Sequence, residues 1–160
     1  MKYAIVFPGQ GSQSLRMLSD LSSNFSIVKD IFSEASDALD LDLWKLVQED
    51  EDSLNLTKNT QPAMLAAGYA TYKVLSNEVD LSPICMAGHS LGEYTALVAA
   101  NSLNFFEAVK LVRKRAELMQ SAVPSGTGAM AAILGLDDEK VIEICTQSNI
   151  SGVVEAVNFN

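Results

Sequence analysis

The stretch Gly88-His89-Ser90-Leu91-Gly92-Glu93 decides the predicted fold, because it joins an apolar run to a helix-forming run through a Gly-x-Ser-x-Gly core. Residues 83–87 before it suit a buried strand, and residues 94–100 after it are good helix formers. A strand that turns this sharply into a helix is typical of a nucleophile elbow, in which flanking glycines let the two backbones approach closely. Ser90 is therefore the candidate nucleophile, although the same short pattern also occurs in unrelated glycine-rich turns.

The composition is that of a soluble globular protein with a hydrophobic core. Of 160 residues, 48% are hydrophobic and 19% are charged. No run approaches the ~18 apolar residues of a membrane span, and the apolar run before Pro8 is too short for a secretory signal. We therefore expect a cytoplasmic protein with no membrane partner. Cys85 and Cys145 lack metal-ligand spacing, which favours packing as small hydrophobes over a disulfide bond or a zinc site.

The charge of the chain argues against nucleic acid as a partner. The formal net charge is -9, and binding to a phosphate backbone requires a dominant basic surface. One cationic run interrupts this acidic sequence and comprises Lys110, Arg113, Lys114 and Arg115. A solvated helix face is the commoner explanation for such a run, and a docking patch for an acidic partner is the alternative.

The remaining elements are predicted from hydrophobic spacing and turn residues. Residues 3–7 suit a buried strand, and the glycine-rich loop 8–13 follows it. This loop lacks the Lys-Ser/Thr of a P-loop and the third glycine of a dinucleotide fingerprint, so neither nucleotide site is expected. Pro62 suits the first position of a helix, which places Gln61 at the helix entrance. The predicted helices span residues 25–39, 43–47, 62–75 and 105–121.

The segment 105–121 is the clearest amphipathic helix of the chain. Its apolar stripe is predicted to be buried, and a charged stripe is predicted to face solvent on the opposite side. Arg115 falls on the apolar side, where a guanidinium needs an anion. The apolar stripe consists of Phe105, Ala108, Val109, Val112, Ala116 and Met119, and the charged stripe consists of Lys110, Arg113, Lys114 and Glu117.

A Pro/Ser/Gly/Thr cluster near residue 125 predicts a subdomain boundary, which divides the chain into residues 1–124 and 125–160. Apolar runs at 129–134 and 153–157 flank a probable helix that is opened by Asp137. This pattern predicts a β-α-β unit after the boundary.

A serine hydroxyl needs a base and oxyanion donors before it becomes an effective nucleophile. The backbone N–H of Leu91 is one candidate donor, because it follows the nucleophile, and the N–H of Gln10 in the first glycine loop is the other. His89 is the only histidine in the chain. Because it is adjacent to Ser90 in a tight turn, its side chain is expected to point away from the hydroxyl, which favours a structural role over that of base.

The chain resembles the malonyl-CoA:acyl carrier protein transacylases of fatty acid synthesis in several segments besides the serine motif. This resemblance implies an α/β fold, with an α/β-hydrolase-like large subdomain and the start of an inserted ferredoxin-like small subdomain. The segments are Phe7-Pro8-Gly9-Gln10-Gly11-Ser12-Gln13, Thr60-Gln61-Pro62-Ala63, Arg115 and Gly126-Thr127-Gly128-Ala129-Met130-Ala131.

The resemblance also implies a reaction and a role for each site residue. Ser90 would take a malonyl group from coenzyme A as an ester and pass it to the phosphopantetheine thiol of acyl carrier protein, without a cofactor or a metal. Gln10 and Leu91 would form the oxyanion hole, and Gln61 would line the acyl pocket. Arg115 would grip the free carboxylate of malonate, because a planar bidentate donor suits a carboxylate.

The family's catalytic histidine is implied to lie beyond Asn160, so we expect a truncated chain that corresponds to the N-terminal half of the family's domain. Its expected partners are coenzyme A thioesters, acyl carrier protein and its own C-terminal half. A non-catalytic binding module is one alternative, and a serine esterase is another, although neutral esters need no carboxylate clamp. As structural alternatives, Arg115 would pair with a core carboxylate and Gln61 would be only a helix-entry residue. Fatty acid synthesis and a polyketide pathway both stay open.

Overall fold

The computed structural model describes residues 2–124, 126–150 and 152–159, and the chain divides into two compact units, residues 1–125 and 126–160. The first unit combines a parallel sheet with helices, which is the α/β class that the sequence predicted. Its elements are β1 (Ala4–Phe7), α1 (Ser19–Asn24), α2 (Ile27–Leu39), α3 (Leu43–Glu49), α4 (Glu51–Leu54), α5 (Thr57–Glu78), β2 (Cys85–Gly88), α6 (Leu91–Ala99) and α7 (Phe105–Ser121).

The sheet brings two distant parts of the sequence together. Strands β1 and β2 pair in parallel, with Ala4 opposite Cys85 and Phe7 opposite Gly88. Parallel neighbours require a crossover connection, which helices α1 to α5 supply. On one face of the sheet, Phe7 packs against α6, whereas the face that carries Val6 and Cys85 is exposed.

Helix α5 lies at the centre of the hydrophobic core and packs against α2, α6 and α7. The apolar stripe predicted for α7 is buried from Phe105 to Ala116, because those residues face α5 and α2. Met119 departs from the prediction, since it is 46% exposed. The largest fully buried apolar side chains of the first unit are Phe32, Leu43, Leu54, Leu65 and Leu91.

The predicted start of α5 at Pro62 is wrong, because the helix begins at Thr57 and Pro62 lies inside it. A proline within a helix has no N–H to donate to the carbonyl four residues earlier, which here belongs to Lys58. The Arg113 guanidinium from α7 donates to that carbonyl at 3.3 Å and to Asn59 Oδ1 at 2.8 Å. This tertiary contact satisfies the carbonyl that proline leaves unpaired, so the helix continues through it.

The second unit forms the predicted helix as α8 (Asp138–Ser148), but the two predicted strands are absent. Residues 129–134 and 153–157 have no strand structure here, so the β-α-β unit stays a prediction. An isolated strand is unstable without a hydrogen-bonded neighbour. None of the described residues after 125 is buried. In both units, no described helix is long and apolar enough to cross a membrane.

Candidate active site

Ser90 occupies a sharp turn between β2 and α6 and holds a strained backbone conformation, with φ 51° and ψ -108°. A non-glycine residue adopts a positive φ only when its surroundings enforce it. The surroundings here are tightly packed glycines, because a Cβ on Gly88 would overlap the backbone of Gly92, and a Cβ on Gly92 would overlap the carbonyl of Phe7. The turn therefore has the geometry of a nucleophile elbow, with the serine exposed at the N-terminus of α6.

The backbone N–H groups of Leu91 and Gln10 lie in residues of different exposure, since Leu91 is fully buried and Gln10 is exposed. Leu91 is the first residue of α6, so its N–H has no partner within the helix. Neither N–H makes a hydrogen bond within residues 2–124, 126–150 and 152–159. The loop of Gln10 lies beside the elbow, where Gly9 approaches the His89 carbonyl so closely that a Cβ on Gly9 would be 2.9 Å from that oxygen.

Side-chain amides hold this first glycine loop in place. Gln13 Oε1 accepts from the Gly11 N–H at 2.8 Å, and Gln13 Nε2 donates to Asn55 Oδ1 at 2.9 Å. Gln10 Nε2 donates to Thr57 Oγ1 at 3.3 Å. The loop is therefore tied to the start of α5, while the backbone of Gln10 stays free.

The His89 imidazole lies against the first glycine loop, since Nδ1 would be 3.4 Å from a Cβ on Gly9. Among the described residues it makes no hydrogen bond to Ser90 or to any other group. The only histidine of the chain is thus not positioned as the base of Ser90.

Arg115 is the charged group that contacts the serine. Its Nη2 donates to Ser90 Oγ at 2.9 Å, and its Nη1 donates to Gln61 Oε1 at 2.8 Å. The guanidinium carbon lies 5.7 Å from the ring centroid of Tyr94, within the range of a cation–π contact. No carboxylate pairs with Arg115 in the described parts of the chain, so it is not an arginine neutralised by a core carboxylate.

Gln61 is fully buried inside α5 rather than at a helix entrance, so that structural alternative is wrong. Its Oε1 accepts from Arg115, and its Nε2 donates to Met119 Sδ at 3.3 Å. Sequence reasoning missed Met119 as part of this cluster. Its spacing of four residues from Arg115 on one helix was the available signal, but it gave no hint that the sulfur accepts a hydrogen bond.

The cationic run near Arg115 presents fewer unpaired positive side chains than the sequence suggests. Arg113, predicted to be solvated, binds α5 and is also paired with Glu117 at 3.0 Å. Lys110 lies 4.2 Å above the Phe106 ring and 3.5 Å from Glu107. Lys114 is exposed.

The described residues contain no group of histidine, cysteine and acidic side chains that could hold a metal ion. Both cysteines are free, and Cys145 is half-buried. Cys85 is exposed, so the expectation that it packs as a small hydrophobe is wrong for this residue. It lies on the exposed face of the sheet, together with Val6.

A family model described as an acyl transferase domain matches residues 4–158. The chain is 56% identical to a malonyl CoA-acyl carrier protein transacylase of Haemophilus influenzae, over 99% of the chain and 52% of that relative. The acyl-carrier-protein S-malonyltransferase structure from Burkholderia pseudomallei has a TM-score of 0.95 and 55% identity, covering 100% of this chain and 52% of that one.

A second solved relative is a malonyl-transacylase in complex with a type II PKS acyl-carrier protein. It has a TM-score of 0.91 and 51% identity, and the match covers 94% of this chain and 49% of that chain. The chain therefore spans about half the length of the curated relatives and solved structures that it matches.

Proposed function

This chain belongs to the acyl transferase domain family, and on that premise we propose that it carries the serine half of a malonyl-CoA:acyl carrier protein transacylase of fatty acid biosynthesis. Ser90 is the proposed nucleophile, Gln10 and Leu91 the oxyanion donors, Arg115 the carboxylate clamp, and Gln61 a residue of the acyl pocket. No cofactor takes part in the proposed reaction, whose substrates are malonyl-CoA and the phosphopantetheine thiol of the carrier.

One observation carries the proposal, namely the guanidinium of Arg115 at 2.9 Å from the Ser90 hydroxyl. An acyl group on that hydroxyl would extend past a cation that has no carboxylate partner among the described residues. A malonyl group supplies the missing carboxylate, whereas an acetyl group leaves the guanidinium unpaired. A serine esterase for neutral esters would gain nothing from this cation, so that alternative is not favoured.

The proposed chemistry proceeds in two steps. In the first, Ser90 Oγ attacks the thioester carbonyl of malonyl-CoA, the oxyanion is held by the N–H groups of Gln10 and Leu91, and the carbon–sulfur bond breaks to release coenzyme A. In the second, the carrier thiol loses its proton and its sulfur attacks the serine ester, the bond between the acyl carbon and Ser90 Oγ breaks, and Ser90 regains a proton. The proton that leaves Ser90 is returned to the departing sulfur, which requires a general base that His89 does not provide in its observed position.

Acyl carrier protein is the proposed partner, because a similar protein of 51% identity was solved in complex with an acyl-carrier protein. Within the cationic run, Lys110 and Lys114 are the side chains that remain exposed to such a partner. Charge reversal at both lysines should weaken carrier affinity through lost electrostatic attraction. An unchanged affinity would remove this role from the two lysines.

The small subdomain belongs to the proposal as well. Residues 126–150 and 152–159 carry apolar side chains that are exposed in this structure, including Leu134 at 89% and Val153 at 81%. We propose that they open a ferredoxin-like small subdomain whose strands form when neighbouring strands are present. The match covers 52% of the relative, and the proposal assigns the neighbouring strands to the remaining residues. A cytoplasmic location also remains a proposal, which cell fractionation tests.

The experiment that tests the function is intact mass spectrometry of the protein after incubation with malonyl-CoA or acetyl-CoA. It is performed with the chain alone and with the C-terminal half of the Haemophilus influenzae relative added. We expect a malonyl adduct on Ser90 that is absent from Ser90→Ala. Arg115→Ala should lower malonyl loading by about 10- to 100-fold relative to acetyl loading, because a charge-assisted hydrogen bond is lost.

Lys114→Ala is the matched control, since it removes an exposed cation from the neighbouring position of α7. An Arg115→Ala protein that keeps the malonyl preference of the original chain would contradict the clamp. A protein that binds the carrier but is never acylated, with or without the added half, would instead support the binding-module alternative.

A further inference from the structure

Four side chains from two helices and the elbow form one line of hydrogen bonds that ends on Ser90. Gln61 Nε2 donates to Met119 Sδ at 3.3 Å, and Arg115 Nη1 donates to Gln61 Oε1 at 2.8 Å. Arg115 Nη2 then donates to Ser90 Oγ at 2.9 Å. Three members of the line belong to the proposed site, but Met119 has no role in it.

We propose that Met119 is a positioning residue, whose sulfur fixes which end of the Gln61 amide faces Arg115 and thereby sets the acyl specificity of the serine. The effect on specificity rests on the proposed function, whereas the effect on the amide does not. Met119 reaches the reaction only through Gln61 and Arg115, so it is not a catalytic residue.

The reasoning depends on the different hydrogen-bonding capacities of the groups. The two ends of a glutamine amide have nearly the same shape, but one end accepts and the other end donates. A guanidinium only donates, so it needs the oxygen end. A thioether sulfur only accepts, weakly, so it needs the NH₂ end. Arg115 and Met119 on opposite sides of Gln61 therefore select the same orientation.

Burial makes this selection matter. The Gln61 side chain is fully buried, and no buried side-chain nitrogen or oxygen lacks a partner among the described residues. Without the sulfur, the buried NH₂ group loses its acceptor, and rotation of the amide would turn two donors towards the guanidinium. Either outcome weakens the hydrogen bond from Arg115 Nη1 to Gln61 Oε1, so the orientation of the guanidinium is less strictly fixed.

The first test uses the chain as it is and needs no catalytic activity. Met119→Leu removes the acceptor at similar volume, and Met119→Gln supplies another acceptor. NMR signals of the Gln61 side-chain NH₂ and of the Arg115 side chain are expected to shift or broaden in Met119→Leu and to return towards their original state in Met119→Gln. Met17→Leu makes the same chemical change at a half-buried methionine and should leave both signals unchanged. Unchanged Gln61 and Arg115 signals in Met119→Leu would overturn the proposal.

The second test measures the ratio of malonyl to acetyl loading on Ser90. We expect Met119→Leu to lower this ratio about two- to fivefold, as fits the loss of one weak hydrogen bond, and to have no further effect in a Gln61→Ala background. If Met119→Leu lowers the ratio equally in both backgrounds, the sulfur does not act through Gln61, and the proposal fails. If the original chain accepts no malonyl group at all, the proposed function fails, while the NMR result still decides the role of Met119.

Discussion

The two units of this chain have similar shares of apolar residues but differ in how far those residues are buried. In the first unit, α5 is surrounded by other helices, and large apolar residues such as Phe32 and Leu65 are fully buried. In the second unit, α8 contains no buried residue, and apolar side chains such as Ile150 and Val153 are more than 80% exposed. A hydrophobic pattern therefore predicts where a core residue belongs, but a core forms only when a partner element covers it.

The largest difference between the units should appear when a buried ring is removed. Phe32 is fully buried and its ring centroid lies 5.0 Å from that of Trp44, so Phe32→Ala should lower the free energy of unfolding by about 3–5 kcal/mol. In the second unit, Ile144 is 43% exposed, and Ile144→Ala should change it by less than about 0.5 kcal/mol. Urea unfolding measures both, and equal losses would refute the contrast.

Substituting a glycine should also affect the two units differently. Gly92→Ala would drive a Cβ into the Phe7 carbonyl, so we expect a loss of about 1–3 kcal/mol and a fall in the reactivity of Ser90 towards a fluorophosphonate probe. Gly152 has open space around it, and Gly152→Ala should alter neither quantity measurably. Thermal unfolding and probe labelling provide the measurements. A Gly92→Ala protein that labels normally would show that the close approach is not needed for the elbow.

Removing a cationic side chain should also cost more stability in the first unit than in the second. Arg113 donates to the Lys58 carbonyl that Pro62 leaves unpaired, so Arg113→Ala should cost about 1–3 kcal/mol. Lys140 of the second unit pairs with Glu143 at 2.8 Å, but both side chains are more than half exposed, so Lys140→Ala should cost less than about 1 kcal/mol. If chemical denaturation shows Lys140→Ala to be the costlier change, the contact of Arg113 with the Lys58 carbonyl does not stabilise helix α5 as proposed.

The smallest expected effect depends on pH and concerns the helix caps. Hydrogen bonds from Ser53 lower the pKa of Asp50, the cap of α4, below its ordinary value of 3.8. A carboxylate whose pKa is lower in the folded state stabilises the fold above that ordinary value and loses this contribution as the pH falls through the folded pKa. Asp50→Ala should therefore lower the melting temperature slightly at pH 7, and the difference should shrink as the pH falls below about 3.8 and vanish below the lower folded pKa.

The cap of α8 provides the comparison for this last prediction. Asp137 occupies the same position at the start of its helix, but its side chain makes no capping hydrogen bond. Asp137→Ala should therefore have less effect on the melting temperature at pH 7 than Asp50→Ala. A larger effect at Asp137 would mean that helix α8 contributes more to stability than its exposure indicates.

Local patterns in the sequence were sufficient for part of this structure. Helix α7 has the predicted bounds, because one continuous stripe of apolar residues specifies it, and the serine turn lies where the Gly-x-Ser-x-Gly core predicts it. The structure also brings Ser90, Arg115 and Gln61 into contact, while their roles in a reaction stay predictions. The acyl transferase family, identified from these motifs, is confirmed by the family match.

Contacts between distant residues account for what the sequence did not reveal. The start of α5 was misplaced because a guanidinium from α7 compensates for Pro62. The strands after residue 125 were predicted from two apolar runs, but a run alone does not supply the hydrogen-bonded neighbour without which a strand is unstable. The hydrogen bond from Gln61 to Met119 joins two helices, and no periodicity within either helix indicates it.

The close approach of Gly92 to Phe7 has a consequence for the order of events during folding. The elbow belongs to β2 and α6, but the backbone against which it is wedged belongs to β1, near the start of the chain. Five helices lie between these two strands in the sequence, and long-range parallel pairing is slow compared with helix formation. A nascent chain on the ribosome would thus form its helices before the turn that holds Ser90, and labelling of Ser90 would report the formation of this long-range contact.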